Sequence, residues 1–275
     1  MIAFINGRYI DEEMAMLHVS DLSIQRGYAA FDFFRTLDSK PLFLDDYLER
    51  FFKSIELLGL NNTYSKQQVK DIILQLIGEN KLPVSGIRMT MTGGYSAGGY
   101  EPATPNFIIT QQKLATPPGE HVKEGIKVIT HEYQRDLPEI KSINYLMGVW
   151  LQQKVKAQLA SDVLYYKNDI VTEFPRSNIF LVSKVGELIT NQKNILEGIT
   201  RKKVLELAAG EVPVIIKDIS LDEIKNAAEL FMTSTTKRIL PIIQVDDMII
   251  GNGNAGQITS ALHTSFLSFE KKAVK

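Results

Sequence analysis

Four short segments of this 275-residue chain concentrate side chains that do chemistry. Glu139-Ile-Lys141-Ser-Ile-Asn144-Tyr145 carries an amine close to a phenol. Val171-Thr-Glu173-Phe-Pro-Arg-Ser177-Asn178 carries a carboxylate. Leu196-Glu-Gly198-Ile199-Thr200-Arg201 reads as a turn into a helix, and Phe231-Met-Thr233-Ser234-Thr235-Thr236 as a hydroxyl-rich turn. A buried lysine can act as nucleophile or proton carrier, and a carboxylate can hold a cationic partner. Each segment alone also has an ordinary reading: a solvated lysine, a surface charge at a strand end, a helix start, a loop.

Other chemistries are excluded or weak. The chain has no cysteine, which removes disulfides, thiolate metal sites and cysteine nucleophiles. His18, His121, His131 and His263 are scattered without zinc-motif spacing, so no metal site is expected. Lys+Arg is 31 against 32 Asp+Glu, a balance that gives no reason to expect nucleic acid as a partner. Gly251-Asn-Gly253-Asn-Ala-Gly256 fits a dinucleotide fingerprint in letters only, because too little chain follows it for a βαβ unit. It reads as a loop before the last helix. The start MIAFINGRYIDEE has no signal-peptide pattern, and no apolar run reaches the roughly 18 residues of a membrane span. The expected location is the cytoplasm.

The elements that must position these segments follow from periodicity. Asn6-Gly7 between apolar residues predicts a hairpin. Leu48, Phe51, Phe52, Ile55 and Leu58 predict a helix within 42–60, with Gly59 at its C-terminal cap. Ser65 and Gln68 predict a capping box for a second helix. Ile87, Met89 and Met91 alternate with Arg88, Thr90 and Thr92, a strand with one polar face. Pro117, Pro118 and Gly119 mark a linker, giving an N-terminal domain of 1–112, a linker of 113–119 and a C-terminal domain of 120–275. In the second half, a helix near Asn144 to Leu159 is expected, then hairpins around Asn168-Asp169 and across 179–190. A helix from Gly198 to Ala209 and a last one from about Gln257 complete it. Strands outnumber helices and helices fall between hairpins, so the fold class is mixed α+β, not a doubly wound parallel sheet.

In order and spacing, the four segments resemble the class IV aminotransferases, the fold-type IV enzymes that use pyridoxal 5′-phosphate (PLP). That family includes branched-chain aminotransferase, D-amino-acid aminotransferase and aminodeoxychorismate lyase. The resemblance covers nearly the whole chain. Arg26-Gly27 through Phe31-Asp32 fits the family's G-D-G-x-F-E segment imperfectly, and Leu44 through Arg50 fits L-x-x-H-L-x-R-L with Tyr47 at the histidine. The resemblance implies two α/β domains, the smaller N-terminal, with PLP in the cleft between them. It also implies a homodimer whose subunits complete each other's sites.

Residue by residue, it implies that Lys141 is joined covalently to the cofactor and moves the substrate proton. Glu173 would face the pyridine nitrogen, and Tyr145 would bond the cofactor's phenolic oxygen, with one residue fewer after the lysine than in branched-chain enzymes. Arg50, Ile199, Thr200, Ser234 and Thr235 would hold the phosphate. For substrate, Arg88 matches an arginine whose strand phase points toward the pocket, with Arg35 a second candidate. Phe31 and Phe33 line the same segment, and Phe33 stands where branched-chain enzymes have glycine, which reshapes an aliphatic pocket. The arginine and histidine of the D-amino-acid enzymes' carboxylate trap correspond to Gly98 and Tyr100, so a D-amino-acid specialist is not expected. Tyr95 or Tyr100, on a glycine-rich loop, is expected to touch substrate or the partner subunit. The implied activity is amino transfer between an amino acid and a 2-oxo acid, branched-chain-like. The alternatives are a PLP lyase resembling aminodeoxychorismate lyase and a family member without catalysis.

Overall fold

The protein was analysed as a computed structural model that describes residues 1–114 and 117–274; the chain forms two compact units. The first comprises Met1–Ala115, Ile140–Asn144 and Lys271–Lys275. Its strands are β1 (Ile2–Ile5), β2 (Arg8–Asp11), β3 (Ala29–Leu37), β4 (Lys40–Pro41), β5 (Ser85–Thr92) and β6 (Phe107–Lys113). They make one antiparallel sheet in the order β2-β1-β6-β5-β3-β4. Asn6 (φ 47°) and Gly7 (φ 85°) turn β1 into β2, since the hairpin needs two left-handed residues. Helices α1 (Leu22–Arg26), α2 (Leu44–Leu57) and α3 (Lys66–Asn80) accompany the sheet.

Helix α2 buries Leu48, Phe51 and Ile55 and exposes its acidic first turn. It closes at Gly59 (φ 63°), where the Leu60 N–H reaches back to the Ile55 carbonyl at 2.9 Å. Helix α3 starts with both halves of the Ser65–Gln68 capping box. On β3, Phe34 meets the Tyr47 ring of α2 at 5.6 Å, so the even-numbered side chains face the helices. Phe31, Phe33 and Arg35 therefore share the opposite face. Along β5, Ile87, Met89 and Met91 are buried as the alternation predicts. Thr92 departs from the expected polar face. It is buried because its hydroxyl donates to the carboxylate of buried Asp21 at 2.7 Å.

The second unit comprises Thr116–Glu139 and Tyr145–Glu270. Its sheet follows the order β12-β11-β10-β14-β15-β7-β8-β9-β13, with β16 on β15. These are β7 (Ile126–Glu132), β8 (Asp162–Lys167), β9 (Ile170–Val171), β10 (Asn178–Val182), β11 (Leu188–Thr190), β12 (Val214–Ile216), β13 (Ile219–Ser220), β14 (Glu229–Ser234), β15 (Arg238–Val245) and β16 (Met248–Ile249). Parallel pairs (β7–β8, β7–β15, β11–β12) mix with antiparallel ones, so the class is mixed α/β. Val128, Leu164, Phe174, Ile179, Met232 and Leu240 belong to an apolar cluster in its core.

The helices after β6 are α4 (Gly119–Glu124), α5 (Leu146–Trp150), α6 (Gln152–Ala157), α7 (Ile199–Ala208), α8 (Leu221–Lys225) and α9 (Gln257–Ala273). The single helix expected over 144–159 is two short ones. They meet at Leu151, whose ψ of −8° interrupts the helix while its side chain packs with Ile129, Val155, Val163 and Tyr165. Lys113 ends β6 and Gly119 opens α4; Ala115 and Thr116 of the expected linker 113–119 lie outside the described residues. Gly251 to Gly256 is the loop before α9. The Glu229 carboxylate occupies that helix N-terminus, accepting from the Ile258 and Thr259 N–H groups at 3.1 and 2.8 Å. A Cβ on Gly256 would fall 1.8 Å from the Glu229 side chain, so this glycine makes room for a cap, not for a phosphate.

Candidate active site

In the first unit, the segment around Lys141 lies along the outer edge of β3. The Phe31 N–H donates to the Lys141 carbonyl at 2.9 Å and the Ile143 N–H to the Ala29 carbonyl at 3.1 Å. The Lys141 N–H donates to the Ser54 hydroxyl of α2 at 3.2 Å. Ala30 and Ser142 are bridged antiparallel, which puts Lys141 on the same face as Phe31. Its Nζ stands 4.8 Å from the Phe31 ring centroid. The Arg88 guanidinium stands 4.7 Å from that same centroid and 5.6 Å from that of Phe33. The register pairs Phe33 with Arg88 and Arg35 with Gly86, so Arg35 shares this face and is buried there. Five residues singled out from the sequence thus meet on one sheet face: Lys141, Phe31, Phe33, Arg35 and Arg88.

Two others of this unit lie elsewhere. Arg50, from α2, is held by buried Asp32 on the helix side, with Nε and Nη2 donating to the two carboxylate oxygens at 2.9 and 2.7 Å. That is the bidentate fork expected of a guanidinium on an anion. Tyr95 sits on the loop after β5, bridged to Asp21, with its ring edge-on to His18 at 5.9 Å.

In the second unit, Glu173 follows β9 and is buried. One carboxylate oxygen accepts from Arg135 Nε at 2.7 Å, the other from the Leu196 N–H at 2.9 Å. Arg135 also donates from Nη2 to the Pro138 carbonyl at 2.5 Å. Leu196 leads into α7, which begins after Gly198 with no side-chain cap and with Ile199 and Thr200 buried in its first turn. The Asn178 amide donates to the Leu196 carbonyl at 2.8 Å, and a Cβ on Gly198 would fall 2.1 Å from Asn178 Oδ1. Only glycine lets the turn approach this closely.

Arg201 anchors the same turn from within. It is buried, its Nε donating to the Thr190 hydroxyl at 3.2 Å and its Nη2 to the Asn191 carbonyl at 2.8 Å. Burial lowers its pKa from the usual arginine value, although Glu197 acts to raise it. Asn191 in turn donates to the Val171 and Thr172 carbonyls, just before Glu173. The carboxylate and the α7 N-terminus are therefore parts of one hydrogen-bonded frame. Thr233 pairs with Asn178 across β10 and β14 and points to the same side. Its hydroxyl is buried with no hydrogen-bond partner among the described residues. Ser234 follows it and accepts from the Lys237 N–H at 3.2 Å; Thr235 lies in the same turn. Tyr145, half-buried, precedes α5. Tyr165, buried beside the Glu173 backbone, has its phenol pushed well above the ordinary tyrosine range by burial first, then by Tyr133 and Asp162. No cluster of three or more His, Cys, Asp or Glu able to hold a metal ion occurs among the described residues.

Asp32, Arg135 and Asn191 were not singled out from the sequence. Arg135 and Asn191 stand in no motif and are brought to Glu173 by the fold. Asp32 lay inside a quoted segment, but only the burial of the Arg50 pair shows what it does. Arg201 and Asn178 fell within quoted segments without a role.

A sheet face with a lysine and an arginine on one ring, and a frame joining a carboxylate to a helix N-terminus, define a class. Residues 29–245 match the family described as amino-transferase class IV, and the chain belongs to that family. It is 30% identical over 270 residues to a D-alanine aminotransferase of Staphylococcus epidermidis, covering 96% of this chain and 95% of the relative. It is also 30% identical over 286 residues to a putative branched-chain-amino-acid aminotransferase of Methanocaldococcus jannaschii, covering 99% and 97%. Among solved structures it resembles the branched-chain amino acid aminotransferase of Escherichia coli, at a TM-score of 0.91 and 23% identity over 97% of this chain and 93% of that one.

Proposed function

We propose that this aminotransferase uses PLP to move the amino group of an aliphatic amino acid to a 2-oxo acid. The observation that carries this reading is the placement of Lys141 Nζ and the Arg88 guanidinium on the same Phe31 ring, at 4.8 and 4.7 Å. A substrate whose carboxylate engages Arg88 would present its α-carbon to an amine.

The residues present fit PLP. The α7 N-terminus has no side-chain cap, lies against a glycine that a Cβ would crowd, and shares its side of the sheet with an unsatisfied buried hydroxyl at Thr233. Such a site suits a phosphate, addressed by the Ile199 N–H and the Thr200, Ser234 and Thr235 hydroxyls. Bound PLP would supply an aldehyde for amines and a pyridinium ring that takes up electrons from Cα. Lys141 would anchor it and would carry the proton to and from the substrate Cα. Glu173, fixed by Arg135 and the Leu196 N–H, would keep the ring nitrogen protonated, and Tyr145 would bond the phenolic oxygen.

The test is a matrix of L- and D-amino donors against 2-oxo acids. Turnover should require an acceptor, with parallel double-reciprocal plots and aliphatic donors preferred. Product formation without a 2-oxo acid would make the protein a lyase and overturn the reading. The choice of enantiomer has a second reading, because the Staphylococcus epidermidis relative is a D-alanine aminotransferase; preferential turnover of D-alanine would establish it.

The proposal includes a homodimer in the cytoplasm. On α5, Leu146, Val149 and Trp150 are 78%, 68% and 66% exposed, an apolar face that a second copy would cover. Light scattering should give twice the 31.0 kDa chain mass, and a monomer at micromolar concentration would refute it. No helix among the described residues is long and apolar enough to cross a membrane.

A further inference from the structure

We propose that Phe33 holds Arg88 as the receptor for a substrate carboxylate, and that Gly86 is glycine so that the Phe33 ring can do so. The inference deepens the functional reading above and rests on it.

Three observations carry it. First, Phe33 and Arg88 are register partners on β3 and β5, and the guanidinium lies 4.7 Å from the Phe31 centroid and 5.6 Å from the Phe33 centroid. Rings this close to a guanidinium attract it and restrict where it can sit, while its N–H groups are the part that a carboxylate engages. Second, a Cβ on Gly86 would fall 2.1 and 2.5 Å from two atoms of the Phe33 ring. The ring therefore lies across the backbone of residue 86. Third, Gly86 is absent from the positive-φ glycines, so the strand conformation does not require glycine there. A mid-strand glycine weakens a strand, and here it marks a close approach.

Phe33 is thus a positioning residue that acts through Arg88. The ring takes room from an aliphatic side chain and aligns a cation on the Lys141 face. The ligand is a carboxylate of the substrate, either the one every amino or 2-oxo acid carries or the distal one of a dicarboxylic acid.

The experiment measures KM and kcat for 2-oxoglutarate and 4-methyl-2-oxopentanoate in the PLP-loaded enzyme and in F33L, F33Y, G86A, F33A and the F33A/G86A double variant. F33L keeps volume without a π face and should raise KM about tenfold, with kcat changed about twofold or less. F33Y restores the face and should restore KM. G86A displaces the ring and should behave as F33L does, yet add nothing in the F33A background. A KM rise confined to 2-oxoglutarate identifies the distal carboxylate as the ligand, and a rise for both acceptors identifies the shared one. Unchanged KM in F33L, or additive effects of G86A and F33A, would overturn the proposal. Absence of transamination in the parent enzyme would instead remove the functional reading beneath it.

Discussion

Replacing Lys141 by alanine should reduce amino transfer on the order of 10⁴-fold while the protein stays folded. The two halves of this expectation have separate grounds. The contacts that dock the segment are made by its backbone: the Lys141 carbonyl accepts from Phe31, and its N–H donates to Ser54. Alanine keeps both. What disappears is the amine above the Phe31 ring, the proposed covalent anchor and proton carrier. The melting temperature and far-ultraviolet spectrum of K141A should match the parent. Borohydride should no longer fix the cofactor to the chain, as a mass measurement would show. Residual transamination within a hundredfold of the parent would place the chemistry on another group. Arginine is a useful contrast, since it keeps a cation but cannot give up its proton at working pH; K141R should be as inactive as K141A.

The parts of this architecture that sequence reasoning reached are those with local causes. Asn6-Gly7, the Ser65–Gln68 box, Gly59 and the alternation along β5 each act within a few residues, and each specifies the element found. The failures have non-local causes. Thr92 belongs by alternation on a polar face, but Asp21, 71 residues away, draws its hydroxyl inside. The break at Leu151 comes from tertiary packing against β7 and β8, which outweighs helix propensity. The candidate site divides in the same way. Lys141 and Glu173 stand in motifs, so resemblance reaches them. The residues that hold Glu173, Arg135 from 38 positions away and Leu196 from 23, are set by the path of the chain between strands. A backbone N–H partner leaves no mark in a sequence at all.

That support decides what a neutral side chain at 173 would do. Glu173→Gln should slow the proton-transfer half-reaction on the order of 10² to 10³-fold while leaving the cofactor bound. The carboxylate has an acceptor for each of its two donors, Arg135 Nε and the Leu196 N–H. A glutamine has one oxygen and one NH₂. Whichever way it turns, one donor faces another donor, so it satisfies only one side of the frame. Arg135, whose side chain is 13% exposed, then loses its counter-charge, at a cost of about 2–3 kcal/mol in stability. In its proposed role Glu173 would keep the ring nitrogen of bound PLP protonated, and glutamine would leave a weaker sink for electrons from the substrate α-carbon. The phosphate binding proposed at the α7 turn would depend instead on Gly198, Thr200 and the helix N-terminus, which the substitution leaves in place, so affinity for the cofactor should fall far less than the rate. Single-turnover absorbance with Cα-deuterated donor separates these effects. The isotope effect should grow in E173Q, because proton removal becomes more fully rate-limiting. Glu173→Asp keeps the charge but shortens the reach to two fixed donors, and should recover part of the rate. An E173Q enzyme that turns over within about threefold of the parent, with the cofactor's visible band unchanged, would remove Glu173 from the chemistry and leave its pair with Arg135 a purely structural one.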